Sequence, residues 1–141
     1  MSIPIFPEQV QTDPAAAVKP RRSRARAKAA GRNFERLVAD YLATQLDDDR
    51  IDRRVKRGSQ DRGDIAGVRT IRGGRVVIEC KDTTKLDLPG WVREAEAERG
   101  NDDAVVGVVV HKKRGTTDPA EQYVTMTLDA LVTLLQGGVD L

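Results

Sequence analysis

The stretch Arg75-Val-Val-Ile-Glu-Cys-Lys81, taken with Gly63-Asp64 before it, decides how this chain of 141 residues is read. The β-branched run Val76, Val77, Ile78 favours a strand, and successive side chains of a strand alternate between its faces. Glu79 and Lys81 therefore share one face, roughly 7 Å apart along the strand. Val76, Ile78 and Cys80 share the other face, which points into a core. Arg72-Gly73-Gly74 supplies a hairpin turn, and on its far side Asp64-Ile-Ala-Gly-Val68 reads as a strand that begins on its acid. Pairing of the two strands brings Asp64 to the Glu79 end of the sheet. Two carboxylates with a main-chain carbonyl beside them form a partial shell for a hard divalent cation, which takes its other ligands from water and phosphate. Such a cation acidifies a bound water and offsets charge on phosphorus. Lys81 is placed to orient that water or to balance the phosphate.

Outward from this hairpin the pattern is α/β. Upstream, Phe34, Leu37, Val38, Tyr41 and Leu42 recur at i, i+3, i+4, i+7 and i+8, the stripe of an amphipathic helix. Alanines at 25, 27, 29 and 30 extend it backwards. Glu35 lies about 100° round the helix axis from Phe34, on the flank of the stripe. The helix runs out near Gln45, and Asp47-Asp48-Asp49 makes a turn. Ile51, Arg53, Val55 and Arg57 then alternate with Asp52, Arg54 and Lys56 as a half-exposed strand, followed by the loop Gly58-Ser-Gln-Asp-Arg-Gly63. Downstream, Leu88, Trp91, Val92 and Ala95 space as a helix ending at Gly100, with Trp91 in the core. Ala104 to Val110 reads as a strand buried on both faces. Gln122 to Thr127 gives another strand, and Leu128, Leu131, Val132 and Leu135 give a closing helix. The predicted order is αβββαββα, a mixed central β-sheet flanked by helices.

Charge is unevenly placed. The formal net charge is only +2, yet Lys19 to Arg36 holds eight Lys or Arg against one acid, and Arg50 to Arg62 holds six against two. The acids collect at Asp47 to Asp49 and at Glu94, Glu96 and Glu98. Dense local positive charge points to phosphate backbones as partners. Arg21, Arg22, Arg24, Arg26, Lys28, Arg32, Arg54, Arg57, Lys112, Lys113 and Arg114 are the candidate nucleic-acid contacts, with His111 assigned to the same strand-end patch. The single cysteine, Cys80, excludes an internal disulfide and a Cys/His zinc site. With no long apolar run and no signal-peptide pattern, neither a membrane span nor secretion is expected, and a cytoplasmic setting is. Residues 1–20 carry Pro4, Pro7, Pro14 and Pro20 and read as a disordered or loosely docked arm, with one domain over 21–141.

Asp64 followed by Glu79-Cys80-Lys81 resembles the PD-(D/E)xK nuclease motif, an acid and then (Asp/Glu)-x-Lys on a β-hairpin. Asn33-Phe34-Glu35 resembles the first helix of the archaeal and phage-type Holliday junction resolvases, in which a glutamate joins the metal site. Arg57-Gly58-Ser59 resembles the Arg/Ser loop those enzymes place near the scissile phosphate. Residue 63 is glycine where the motif has proline. The resemblance spans about residues 31–115. It implies a restriction-endonuclease-like fold and a Mg2+-dependent endonuclease that resolves four-way DNA junctions, with Mn2+ able to substitute. It implies metal ligands at Glu35, Asp64, Glu79 and the Cys80 carbonyl, and catalytic roles for Lys81 and Ser59. It further implies a homodimer acting on branched DNA in a bacterial cell, with a phage-encoded source favoured. Flaps, single strands or duplex DNA are the alternative substrates, and a non-catalytic nucleic-acid-binding protein is the alternative class.

Overall fold

The computed structural model describes residues 23–56 and 58–138. The expected arm over 1–20, together with Arg21, Arg22 and Arg57, lies outside these residues. Helix α1 (Arg24–Gln45) starts on Ser23, whose hydroxyl accepts the Arg26 N–H at 3.1 Å and satisfies one of the free donors of the first turn. Its expected stripe is in place, with Phe34, Val38 and Ala39 buried. Three strands follow: β1 (Asp52–Arg53), β2 (Ile65–Ala66) and β3 (Val76–Lys81). Then come α2 (Leu88–Asn101), β4 (Val106–His111), a short 3-10 turn (Pro119–Glu121), β5 (Tyr123–Thr125) and α3 (Leu128–Leu135).

The strands form one five-stranded mixed sheet in the order β1-β2-β3-β4-β5. Its β3–β4 pair is parallel and the other pairs are antiparallel. A parallel neighbour requires a crossover, and α2 provides it. The two faces of β3 and β4 serve different helices. Val76, Ile78, Val106, Val108 and Val110 pack with Phe34, Val38 and Ala39 of α1, and Ala130 and Leu134 of α3 lie against the same cluster. On the opposite face Val109 packs with Trp91 and Ala95 of α2. Helix α2 comes very close to the sheet at Gly107, where a Cβ would lie 2.6 Å from the Ala95 carbonyl oxygen. No helix of the described residues is long and apolar enough to cross a membrane.

The strand expected over Ile51 to Arg57 is only two residues long, and the one expected over Asp64 to Val68 is also two. Their register explains this. Asp52 faces Ala66 and Arg53 faces Ile65, and the Arg54 N–H still reaches the Asp64 carbonyl at 2.7 Å. The next partner in that register is Gly63, whose φ of +96° turns the chain out of the ladder. Val55 is left 72% exposed. An alternating sequence makes a strand only where a neighbour offers its backbone.

Gly63 is buried against β3: a Cβ there would sit 2.9 Å from Val77 Cγ1 and 3.1 Å from the Ile78 carbonyl oxygen. Proline, fixed near φ of about −65°, cannot adopt this backbone. Gly63→Ala is expected to destabilise the protein by about 1–3 kcal/mol in urea unfolding. Wild-type stability in that variant would mean that the left-handed turn is not required.

Candidate metal centre

Glu79 and Lys81 project from β3 toward α2, as their alternation with Ile78 and Cys80 requires. Asp64 stands just before β2, fixed by its own N–H, which donates to the Ile78 carbonyl at 2.9 Å. Its carboxylate extends the ladder that β2 leaves unfinished: Asp64 Oδ2 accepts the Cys80 N–H at 2.8 Å. A residue's N–H and C=O leave a strand by the same edge, so the Cys80 carbonyl also faces the Asp64 side. Burial pushes the Cys80 thiol far up, so it stays protonated and acts as a small apolar group.

Two further acids join from other elements. Glu98 is on α2, one helical stripe with Trp91 and Ala95, and all three are buried. Asp61 is in the loop before Gly63. Its carbonyl accepts Asn101 Nδ2 at 2.8 Å, and its Oδ1 accepts the Gly63 N–H at 2.9 Å, so the loop is pinned to the end of α2. One carboxylate oxygen from each of Asp61, Glu79 and Glu98 lies within 4.8 Å of the others, a grouping able to hold a metal ion. Opposite ligands of an octahedral site are separated by twice the metal–oxygen distance, about 4.2 Å for Mg2+ and up to about 5 Å for Ca2+. The donor set is carboxylate oxygen throughout, which suits a hard cation.

Glu79 is 5% exposed and Glu98 3%, and each has a buried Oε1 with no hydrogen-bond partner. Charged oxygens are not normally left in this state. Burial, and then the Asp64 charge, push the Glu79 carboxyl well above the usual carboxylate range; burial and then Asp61 do the same to Glu98. Two lysines counter part of the charge. Lys81 Nζ is 3.2 Å from Glu79 Oε2 and 3.0 Å from Glu94 Oε2. Partial burial works to lower the Lys81 pKa, but its contacts with Glu94 and Glu79 outweigh this and hold it above the ordinary lysine value. Lys56 Nζ lies 3.4 Å from Asp64 Oδ1, and burial is likewise outweighed there by the charges of Asp64 and Asp61.

The structure thus brings Asp64, Glu79, Cys80 and Lys81 together. Glu35 is held elsewhere. Its Oε1 accepts Arg53 Nε at 3.1 Å and Nη2 at 3.0 Å, and it rides on the helix that covers the other face of the sheet. It is not one of the three acids that converge, although its charge reaches Cys80 and Lys56. Ser59 is exposed in the loop that lines a cleft of about 680 Å3 with Lys56 and Asp61. Glu98 was legible as the i+7 partner of Trp91 and i+3 partner of Ala95, a position on the buried stripe. Asp61, a loop acid, carried no periodic signal.

The basic candidates divide. Arg24, Arg26, Lys28 and Arg32 are exposed on the first half of α1 and make no ion pair among the described residues. Arg54 is part-buried beside Asp102, at 3.5 Å. Past β4, Lys112 Nζ donates to the Thr116 and Lys113 carbonyls, Lys113 lies 5.9 Å from the Tyr123 ring centre, and Arg114 pairs with Asp82 at 3.0 Å. His111 corrects the expectation of a phosphate-binding strand end. It is buried between Trp91 and Tyr123, Nε2 bonded to Thr125 Oγ1 at 2.7 Å, and burial lowers its pKa.

Comparison of the chain with protein-family models, with curated proteins and with solved structures finds no match.

The raised carboxyl groups give a pH dependence with a definite sign. A proton kept in the folded state above the ordinary glutamate pKa of about 4.3 stabilises fully below that value and is lost as pH rises through the folded pKa. Chelator-treated protein is therefore expected to lose thermal stability between pH 5 and alkaline pH (approximate limits set by those pKa values), relative to Glu79→Gln/Glu98→Gln at each pH. A constant difference between the two proteins across that range would show that the pair carries no strained charge.

Proposed function

We propose that this protein is a Mg2+-dependent DNA endonuclease of the PD-(D/E)xK type, with a restriction-endonuclease-like fold, that hydrolyses phosphodiesters in branched DNA, four-way junctions in particular. The observation that carries this reading is the pair of buried, unpartnered carboxylate oxygens on Glu79 and Glu98, next to Asp64 and facing Lys81. The mixed sheet, with Asp64 just before β2 and Glu79 on the neighbouring β3, supports the fold, and the resemblance of the Asp64, Glu79-Cys80-Lys81 pattern supports the chemistry.

Asp64, Glu79 and the Cys80 carbonyl would hold the metal, with Asp61 and Glu98 as the further carboxylates. When bound, Mg2+ acidifies a coordinated water and offsets negative charge on the phosphate. The chain's own residues do the rest. Lys81, held between Glu79 and Glu94, keeps its proton and presents an N–H donor to the phosphate or to the attacking water. Lys56, 67% exposed beside Asp64, offers a second cation at the mouth of the cleft, and Ser59 lies on the same loop. The exposed cations at the start of α1 add sequence-tolerant, salt-sensitive attraction to the backbone.

The expected result is magnesium-dependent paired nicking of a labelled four-way junction, lost by at least about a hundredfold in Asp64→Asn and in Glu79→Gln. Junction binding should survive in both variants, because removing a carboxylate lowers repulsion of phosphate. Cleavage at the wild-type rate would reject the site, and preference for flaps or linear duplex would reject the junction as substrate. If magnesium neither raises the melting temperature nor enables cutting of any DNA, the protein is a binding module.

Cutting two symmetry-related strands calls for two copies. Leu128 and Leu135 are 76% and 78% exposed on α3, with Leu131, Val132, Tyr123 and Val124 also exposed nearby in the chain. An apolar surface of this kind supports self-association through α3 and β5. Leu128→Asp/Leu135→Asp is expected to shift a dimer to monomer in analytical ultracentrifugation without lowering thermal stability of the monomer fold; an unchanged sedimentation coefficient would place the contact elsewhere.

A further inference from the structure

A second polar pocket lies at the start of β3 and shares Arg54 and Arg62 with the cleft beside the acids. It has a volume of about 300 Å3 and is lined by Arg54, Arg62, Arg69, Arg75 and Asp102 together with the backbone around Gly67. Four arginines and one carboxylate thus line the pocket. That carboxylate is already shared: Asp102 Oδ2 is 3.5 Å from Arg54 Nη2, and Oδ1 is 3.9 Å from Arg75 Nη1, which also donates to the Asp102 carbonyl at 2.7 Å. Arg69 donates to the Gly73 carbonyl at 3.1 Å, and Arg62 makes no ion pair among the described residues. Counting formal charges on these five side chains, four positive and one negative leave an excess of three positive.

One of these guanidinium groups is also incompletely satisfied. Arg54 Nε is buried and has no hydrogen-bond partner. A buried N–H on a cation is costly to leave unpaired, and a guanidinium fork matches the oxygens of a phosphate. Asp102 is 5% exposed, so it fixes Arg54 and Arg75 from below without presenting a free carboxylate to the pocket mouth.

We propose that this arginine pocket binds a tetrahedral phosphate and that, on the reading of the acid site as a DNA endonuclease, this is a backbone phosphate that is not cut. Arg75 precedes Glu79 by four residues, roughly 13 Å of strand, a distance that a short run of nucleotides in one DNA strand spans. The pocket then sets where along the backbone the cut falls, by holding the strand at a fixed distance from the acids. It is a positioning site, and no bond is made or broken there.

The test uses the full chain in chelator, so that no strand is cut. Arg62→Gln/Arg75→Gln removes two exposed or half-exposed arginines of the pocket and leaves the Arg54–Asp102 pair intact. Arg50→Gln, which removes an exposed arginine paired with Asp48, is the charge control. For the pocket variant, the slope of log affinity for a four-way junction against log salt is expected to fall by about 1, and for Arg50→Gln to stay unchanged. With magnesium restored, the variant should still cut at saturating DNA, with its cut sites spread over neighbouring phosphates. An unchanged slope with unchanged cut sites overturns the proposal.

A second arm separates the pocket from the nuclease reading. Inorganic phosphate, exchanged against chloride at constant ionic strength, is expected to raise the melting temperature of the wild type and of Arg50→Gln but not of the pocket variant. If the chain binds no DNA and this phosphate effect remains, the nuclease reading fails while the pocket stands as a site for phosphate from another source. If neither DNA slope nor melting temperature depends on the pocket arginines, the pocket is only a scaffold for Asp102.

Discussion

Glu79 and Glu98 face each other across the β3–α2 interface, each with a carboxyl oxygen that no group of the chain satisfies, and burial makes both hold a proton at a pH where ordinary glutamates are charged. Leaving a buried polar group without a hydrogen-bond partner costs about 1–3 kcal/mol, and more where the group is charged. Burial of a large apolar side chain such as Trp91 contributes on the order of 2–3 kcal/mol. The two effects are of similar size, so α2 is not held down evenly. Trp91 and Ala95 dock its first half against Val109, and the charged half is retained by polar ties: Asn101 to the Asp61 carbonyl and Asp102 to Arg54 and Arg75.

The sheet separates structural from chemical work by face. Residues 76, 78 and 80 of β3 join the larger apolar cluster under α1, while 79 and 81 turn to α2. The acids therefore come from three connections that a packed core fixes at their bases: the turn before β2, the end of β3 and the inner stripe of α2. The parallel β3–β4 pair makes this arrangement rigid, with Lys81 set beside His111 in register. His111 fills space between two aromatic rings, and the Lys81 ammonium is held by Glu79 and Glu94.

Much of this was readable from residue order. The αβββαββα succession, the inward set of Val76, Ile78 and Cys80, and the approach of Asp64 to Glu79 all follow from two periodicities, 3.6 and 2, and one hairpin. Periodicity fails where the answer depends on a third body. The position of Glu35 on the flank of a stripe is correct as an angle about its own helix, but an angle does not say which face of the sheet that helix covers, and Arg53 captures the carboxylate first. The first strand ended early because Gly63, ten residues later in the chain, withdrew its backbone. His111 followed by three cations looked like a surface because sequence shows neighbours in the chain and not the rings of Trp91 and Tyr123 above and below it. Glu98 is the instructive case in the other direction. Counting it with Glu94 and Glu96 as an acidic run hid the fact that, of the three, it is the one in phase with Trp91 and Ala95.

The pinning of the Asp61 loop has a consequence for motion. A hydrogen bond from Asn101 ties that loop to the last turn of α2, which is capped by Asp102 and lies one turn beyond Glu98. As pH rises and Glu79 and Glu98 ionise, repulsion among the acids acts to lift this end of the helix, and lifting it would carry away the loop and loosen the arginines together. Backbone amides from about Glu98 to Asp102 should then exchange with solvent through a shared local opening, faster than those of Trp91 to Ala95 on the same helix. One cation settling among the carboxylates would quiet all of these segments at once, so that the occupancy of the acidic face is felt at the adjoining arginine pocket through the closing of a helix end.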